Sequence, residues 1–457
     1  MANTTNNPAS PSPKYSLSFS LARHLIDGAL QRVDAARLIQ EKLSLEGRRL
    51  HIGRQCFKLD AFERLHVLGA GKAALPLYQG LRRLLGSGID GGLIVGCLGQ
   101  RLVDRGVCFM TGSHPLPDRS SLAAGQAMID YVRGRVGPRD LVIFLLTGGA
   151  SALLAVPAPG IELEDKILIT RELFRSGADI RELNGLRQAM SLIKGGRLGR
   201  MIHPARLITL ILSDVGAAPL ATVGSGPTLP PDCPPGELSR ILKKYRLVEN
   251  MNPRVKKFFR AERTRWRSTP HPSLPLRGQF HFLIGDNRLA LEEIRSLASQ
   301  SFAPVHILTA NDSGNARRGA RNYAVLIRRI ISGRHSWRPP VLLLAGGEFT
   351  VAVSGSGRGG RNQEFILALL TELADIHHPF LALSIGSDGI DGNSPAAGAW
   401  INQGSAARAQ RLGLAAERFL ENNDSHGFFK KMNQLIVTGP TRTNVMDLRL
   451  FFIGRSG

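Results

Sequence analysis

Short apolar runs recur along the chain and alternate with segments whose apolar residues are spaced three and four apart. The runs at 65–68, 92–97, 207–212 and 341–345, the stretches DLVIFLLT, QFHFLIG, PVHILTAN and PFLALSIG, and a last run near 448–453 read as strands. Period-3.6 patterns between them read as helices: 17–45, a helix from Ser120 or Ser121, one through RELNGLRQAMSLIK, and one opening near Asn362. An alternating run at 349–353 predicts a further short strand. Strands that alternate with helices imply α/β domains with mainly parallel sheets covered on both faces.

At 457 residues the chain exceeds what one core organises, so more than one domain is expected. Between 232 and 276 it turns proline-rich and then strongly basic, which marks a boundary. This predicts an N-terminal domain over 16–265 and a C-terminal α/β domain over 276–457, after a loose Asn-, Ser- and Pro-rich tail at 1–15.

Composition refines the class only a little. Apolar residues make up 43% and charged residues 21%, the balance of an ordinary globular protein. Lys and Arg exceed Asp and Glu by 59 to 36, a net charge of +23. That permits an anionic partner, but the basic residues are spread out, densest at 254–267 and 317–334, with no interleaved aromatics. They read as solvated surface, and nucleic acid is not expected as a partner. Cys56, Cys97, Cys108 and Cys233 show neither a C-x-x-C pair nor zinc spacing and read as buried thiols in a reducing, cytoplasmic setting. The uncharged run 141–161 is broken by Gly148, Gly149, Pro157 and Pro159, which excludes a membrane span there. Nothing in the pattern decides between a monomer and a homodimer.

The chemistry concentrates where strands end. Residues 355–360, with Gly357, Gly359 and Gly360 beside Arg358 and Arg361, form a glycine loop between a strand and a helix, a natural anion site. Lys72 stands at the predicted start of a helix, where a cation is disfavoured unless an anion joins it. Gly148, Gly149 and Ser151 follow an apolar strand, and Asp214, Ser225 and Gly226 follow the next. Asn184, Arg187, Ser191 and Lys194 fall near one face of a helix. Thr438, Gly439, Thr441 and Asn444 occupy a turn near the C-terminus, and Asp388 and Asp391 share a glycine-rich turn where both could hold one magnesium ion. Glycine loops, cations and carboxylates together are what phosphoryl transfer requires.

In this order the segments GAGKAA (69–74), HPLPD (114–118), TGGASALL (147–154), SGADIRELNGLRQAMSLIKGGRL (176–198), LSDV (212–215), SGPT (225–228), GGEFTV (346–351), GRGGRNQEF (357–365), GSDGIDG (386–392), AAGAW (396–400), NNDS (422–425) and TGPTRTNVMDL (438–448) resemble the glycerate 2-kinase family that carries a C-terminal MOFRL domain. The resemblance covers nearly the whole chain beyond residue 20. It implies a Rossmann-like N-terminal kinase domain, a MOFRL region at about 340–452, an active-site cleft between the domains, and ATP- and Mg2+-dependent phosphorylation of D-glycerate at its 2-hydroxyl. Lysine and arginine matching Lys72 and Arg361 are the family's proposed active-site residues; Asp214 and Asp388 complete the expected catalytic set. Two segments depart from the family: Ala217-Ala218 stand where Gly-Asp is typical, and Arg442 where glycine is common, which predicts reduced or redirected activity. The alternatives are an NAD(P)-dependent hydroxypyruvate reductase, since 355–360 fits G-x-G-x-x-G, and a nucleotide- or nucleic-acid-binding protein on the same scaffold. Against the reductase, the next strand-end acid, Asp388, lies much further from Gly355 than the dinucleotide pattern expects.

Overall fold

The structure, a computed structural model, describes residues 18–97, 99, 104–176, 178, 180–231, 235–247, 251–268, 276–299 and 304–455; the predicted tail at 1–15 and Cys233 lie outside them. Two compact units emerge, each discontinuous in sequence. One comprises Val33–Asn287 and Thr441–Met446; the other comprises Arg288–Pro440, Asp447–Gly457 and the chain through Arg32.

In the first unit β1 (Leu43–Glu46), β2 (Arg49–Ile52) and β3 (Gln55–Lys58) make a small antiparallel sheet. The main sheet holds β4 (Leu65–Ala70), β5 (Gly91–Cys97), β6 (Val107–Gly112), β7 (Leu141–Thr147), β8 (Arg206–Leu212) and β9 (Gln279–Gly285) in the order β6-β5-β4-β7-β8-β9, every pairing parallel. Taken in chain order that is 3-2-1-4-5-6, the doubly wound arrangement, and it meets the Rossmann-like expectation. The central strands β4 and β7 are buried at every position, which is why their sequences are unbroken apolar runs rather than alternating ones. The stretch QFHFLIG, expected to open the second α/β pattern, pairs instead with β8 as the edge strand β9.

The second unit has a sheet of β10 (Val305–Asp312), β11 (Val341–Gly347), β12 (Phe380–Gly386), β13 (Gly398–Asn402), β14 (Leu435–Ile436) and β15 (Asp447–Ile453), ordered β10-β11-β15-β12-β13-β14. The C-terminal strand β15 inserts antiparallel between β11 and β12. With β13 also reversed, β10, β11, β12 and β14 share one direction. Phe365, Phe428, Phe429 and Phe451 fill the core against this sheet.

Three local expectations are corrected. The predicted helix 17–45 is broken, because Asp34 accepts the amide of Arg37 at 2.9 Å and starts a new helix, Ala35–Lys42, after Phe19–Arg32. Residues 349–353 make no strand: Thr350 bonds Gly314 and Ala316 through its backbone, and Phe349 is buried while Val353 projects into solvent. Cys56 and Cys108 are exposed, not buried. The basic run at 317–334 is solvated surface as expected, on the helix Ala316–Ile331, where Arg321 and Arg328 meet Glu372 and Asp375. Among the described residues no helix is long and apolar enough to cross a membrane.

Candidate active site

In a doubly wound sheet the crevice opens where the strand order reverses, here between the carboxyl ends of β4 and β7. The turn after β4 carries Lys72, and the turn after β7 carries Gly148 and Gly149. The helix after β4 starts at Ala74, so Lys72 lies in the turn before it rather than in its first turn. Its amide donates to the Gly148 carbonyl at 2.9 Å, and the Ala73 amide donates to Thr147 Oγ1 at 3.1 Å, so the two turns are tied together. The glycines are required by close approach. A Cβ on Gly148 would sit 1.9 Å from Asp214 Oδ2 and 2.6 Å from Asn444 Nδ2. On Gly149, at φ +83°, it would sit 3.1 Å from Lys72 Cγ and 3.3 Å from His114 Cδ2. A cation and a carboxylate thus flank two consecutive glycines at the switch point. Asn444 Nδ2 reaches Asp214 Oδ2 at 3.4 Å, and the loop bearing it is held by Asn287 Nδ2 donating to the Val445 carbonyl at 2.8 Å.

A second group lies in the same unit. The polar stripe predicted for one helix is divided: the helix Ile180–Ala189 carries Asn184 and Arg187, and Ser191 and Lys194 fall in the turns after it. Ser191 Oγ donates to the Val156 carbonyl and accepts from the amides of Ile193 and Lys194, a local bonding pattern that competes with helix. The chain folds back so that the predicted residues still meet, buried rather than solvent-facing. Lys194 Nζ donates to Ser151 Oγ at 2.8 Å and to its carbonyl at 2.5 Å; Ser151 and Ser225 hydroxyls lie 2.9 Å apart; Ser225 Oγ donates to Asn184 Oδ1 at 3.0 Å. Ser225 holds φ +59°, a conformation costly for a side-chain-bearing residue. Gly226 is a backbone link, its amide on Val223 and its carbonyl on the Gly196 amide. Burial, with Lys166 and Arg187 nearby, holds Lys194 well below the ordinary lysine range, and burial lowers Arg187 to about 10.

Lys166 was not singled out by sequence reasoning. It is 5% exposed, on the helix Leu163–Arg175, and burial beside Arg187 and Arg197 lowers it to about 7. A signal for it existed, since Leu163, Lys166, Thr170 and Leu173 fall at steps of three and four on one buried stripe.

The second unit holds the remaining predicted residues. In its glycine loop the amides of 354–359 are taken by the protein itself. Ser354 and Gly355 amides donate to Asn423 Oδ1, Ser356 to Asn422 Oδ1, Gly357 to the Asn422 carbonyl, Arg358 to Asp424 Oδ1 and Gly359 to Asn393 Oδ1. The anion at the N-terminus of the helix Arg361–Glu372 is the protein's own Asp391, packed against Gly360. Its Oδ1 accepts from the amide and Nδ2 of Asn362, and its Oδ2 from the amide and Nε2 of Gln363. Four donors fill a carboxylate's acceptor capacity, so Asp391 does not fit a magnesium ligand. Asp388 is half-buried and caps its own turn by accepting the Ile390 amide at 3.2 Å. Among the described residues no three His, Cys, Asp or Glu side chains cluster to hold a metal.

Arg361 forms a two-pronged contact with fully buried Asp447, at 2.8 and 2.9 Å, while its Nη1 lies 2.6 Å from Glu348. Burial alone would lower its pKa; Asp447 and Glu348 outweigh that and raise it. Thr438 Oγ1 donates to the Gly439 carbonyl, and the turn of Asp388 packs on that turn through Gly389. Thr441 belongs to the first unit with Asn444. A cavity of about 590 Å3 in the second unit, lined by Asp312, Asn315, Arg318, Asn322 and Phe349 among others, contains none of the residues selected from the sequence.

Residues 21–260 match a family described as a domain of unknown function, DUF4147, and residues 341–447 match the MOFRL family. A D-glycerate 2-kinase from Thermotoga maritima is 32% identical over 84% of this chain and 90% of its own length. A protein from Agrobacterium vitis named for hydroxypyruvate reductase is 36% identical over 86% of this chain and all of its own. The crystal structure of a glycerate kinase from Thermotoga maritima superposes with a TM-score of 0.78 at 30% identity, covering 95% of this chain and 99% of that one. The chain belongs to the glycerate kinase family whose members carry a C-terminal MOFRL region.

Proposed function

We propose that this protein is a glycerate 2-kinase, which transfers the terminal phosphoryl group of ATP to the 2-hydroxyl of D-glycerate. The observation that carries the reading is the convergence of Lys72 and Asp214 on the Gly148–Gly149 turn at the sheet's switch point, in a chain of this family. The bond from the 2-hydroxyl oxygen to phosphorus forms as the bond from phosphorus to the bridging oxygen breaks, and that electron pair leaves with ADP. Asp214 takes the hydroxyl proton, held in place by Asn444. Lys72 carries the charge that accumulates on the transferred group, a task a point charge performs well. The two glycines let the Asp214 carboxylate and the Lys72 side chain lie close against the same turn. Magnesium comes with the nucleotide's own phosphates.

Hydroxypyruvate reduction is the competing activity, and its motif is the loop 355–360. The amides of 355–359, which a dinucleotide's pyrophosphate would draw on, are occupied by Asn422, Asn423, Asp424 and Asn393. The test is ADP release on addition of ATP and D-glycerate, run beside NADH oxidation on addition of hydroxypyruvate. Substrate-dependent ADP release with no NADH oxidation is expected; the reverse pattern overturns the reading.

A further inference from the structure

The cavity of about 590 Å3 in the second unit opens at the carboxyl end of β10, whose last residue, Asp312, lines it. Its long wall is one face of the helix Ala316–Ile331 and its cap: Asn315, Arg318, Asn322 and Leu326 recur at steps of three and four, so the wall runs roughly 16 Å. A Cβ on Gly319 would sit 2.4 Å from the Phe349 ring, so a glycine is needed where that ring packs against the helix. The helix returns antiparallel to β10, as the crossover to the parallel strand β11 requires. Leu308 and Leu326 therefore meet at one end of the cavity, and Asp312, Asn315 and Arg318 at the other. At the polar end several groups retain bonding capacity. Asp312 Oδ2 accepts from Tyr323 OH at 2.7 Å and from Arg449 Nη1 at 3.1 Å, which leaves Oδ1 without a partner among the described residues. Asn315 uses Oδ1 to cap the amides of Arg317 and Arg318 and keeps its NH2 group. The exposed side chains of Arg318 and Asn322 have no partner among the described residues. The start of the helix itself is closed to an anion, because the Ala316 amide goes to the Thr350 carbonyl and the Gly319 amide to the Asn315 carbonyl.

We propose that this cavity binds a nucleoside 5′-phosphate, with the base against Leu308 and Leu326, the ribose hydroxyls on Asp312 and Asn315, and the phosphate on Arg318. Its volume is that of a site for a ligand of this size and exceeds what a three-carbon acid fills. The charge of Asp312 is already met by Arg449, so Oδ1 calls for neutral hydroxyl donors rather than a second cation. A carboxylate at the end of a parallel strand that takes ribose hydroxyls is a contact of this kind. Asn322, between the two ends, offers a donor and an acceptor side by side, which matches the edge of a base. Arg318 is the one cation lining the cavity among the described residues, and its guanidinium fork suits a phosphate. That the occupant is ATP, the phosphoryl donor, rests on the kinase reading; the site itself does not.

The test is titration calorimetry of the full chain with AMP, GMP, CMP and UMP, followed by the nucleoside and the 2′,3′-dideoxynucleotide of the one that binds. In the wild type, removing the phosphate or the two hydroxyls weakens binding by ~10-fold or more, the effect of losing hydrogen bonds to a charged group. In Arg318→Ala the phosphate no longer matters, and in Asp312→Asn the hydroxyls no longer matter. Leu326→Glu, at the apolar end, abolishes binding of the nucleotide and the nucleoside alike. Asp312 also holds Tyr323 and Arg449, so its variant is read beside Arg318→Ala, whose exposed side chain has no contact for the fold to lose. Binding by none of the four nucleotides, or affinities unchanged in all three variants, overturns the proposal. A KM for ATP raised by Arg318→Ala, with ATP displacing the bound nucleotide one for one, makes the occupant the phosphoryl donor; an unchanged KM makes it a separate nucleotide effector. Turnover with binding that none of the variants alters rejects the cavity and keeps the kinase reading; binding that the variants abolish, without turnover, does the opposite.

Discussion

Gly148 ties backbone space to chemistry, because the room its missing side chain leaves is filled by the Asp214 carboxylate. Gly148→Ala displaces the end of a flexible side chain rather than backbone, so the fold yields cheaply while the proposed base moves. The expected outcome is a fall in kcat of about 10²-fold or more with the thermal midpoint nearly unchanged, since misplacing a reacting group by an ångström has effects of that order. A midpoint that drops steeply, or an unchanged kcat, would remove Asp214 from the reaction. Asp391 is the contrasting case. Asp391→Asn replaces one acceptor oxygen by a donor that faces an amide, and the cost is about 2 kcal/mol or more in chemical denaturation. The magnesium concentration for half-maximal turnover stays at its wild-type value; a raised requirement would return Asp391 to the metal. From sequence, Asp391 and Asp388 look equivalent. What separates them is which one lies over the start of a helix that begins some thirty residues earlier, and no local pattern records that.

Among the elements, those that depend on burial alone were legible and those that depend on a partner were not. The apolar runs of β4, β7 and β8 identify buried parallel strands without further information. The run at 349–353 has a strand's alternation but a neighbour only at Thr350, and the loop 355–360 has an anion loop's glycines but meets its ligand in the protein's own residues 422–424. A glycine loop announces close backbone approach and does not say to what. The loop Thr441–Met446 illustrates the same limit from the other side. Arg442 and Met446 both take positive φ, +63° and +68°, a conformation that favours glycine, and Arg442 stands where the family resemblance leads one to expect glycine. Arg442→Gly removes about 1–2 kcal/mol of left-handed strain and adds about 0.5–1 kcal/mol of unfolded-chain entropy, so a small net gain in thermal midpoint is expected. A loss on this substitution would mean the guanidinium makes a stabilising contact that outweighs the strain.

For the molecule as a whole, stability should rise with pH. His66, His281, His306 and His426 all have pKa values lowered by burial from 6.5, so below that value the unfolded chain takes up protons that the fold refuses. Lys166, lowered from 10.5 to about 7, acts in the same direction between those limits. A net charge of +23 adds self-repulsion that deprotonation relieves. Scanning calorimetry of the ligand-free protein should show the midpoint climbing from pH 6 to pH 9; a flat or falling profile would mean these groups gain partners in the fold. The α/β class with mainly parallel sheets was readable from strand and helix alternation, the Rossmann-like arrangement only from the family resemblance, and the switch point followed once the order was known. The interruption of each unit by chain from the other end of the sequence has no local signature, because it is set by which surfaces pack.

The most direct measurement is the initial rate of 2-phosphoglycerate formation from ATP and D-glycerate by the wild type and by Lys72→Ala. Because Lys72 lies in a turn and not in the core, its loss should leave folding intact and lower the rate by about 10²–10³-fold. A Lys72→Ala protein that forms 2-phosphoglycerate at the wild-type rate would contradict the assignment of phosphoryl transfer to the switch point of the parallel sheet.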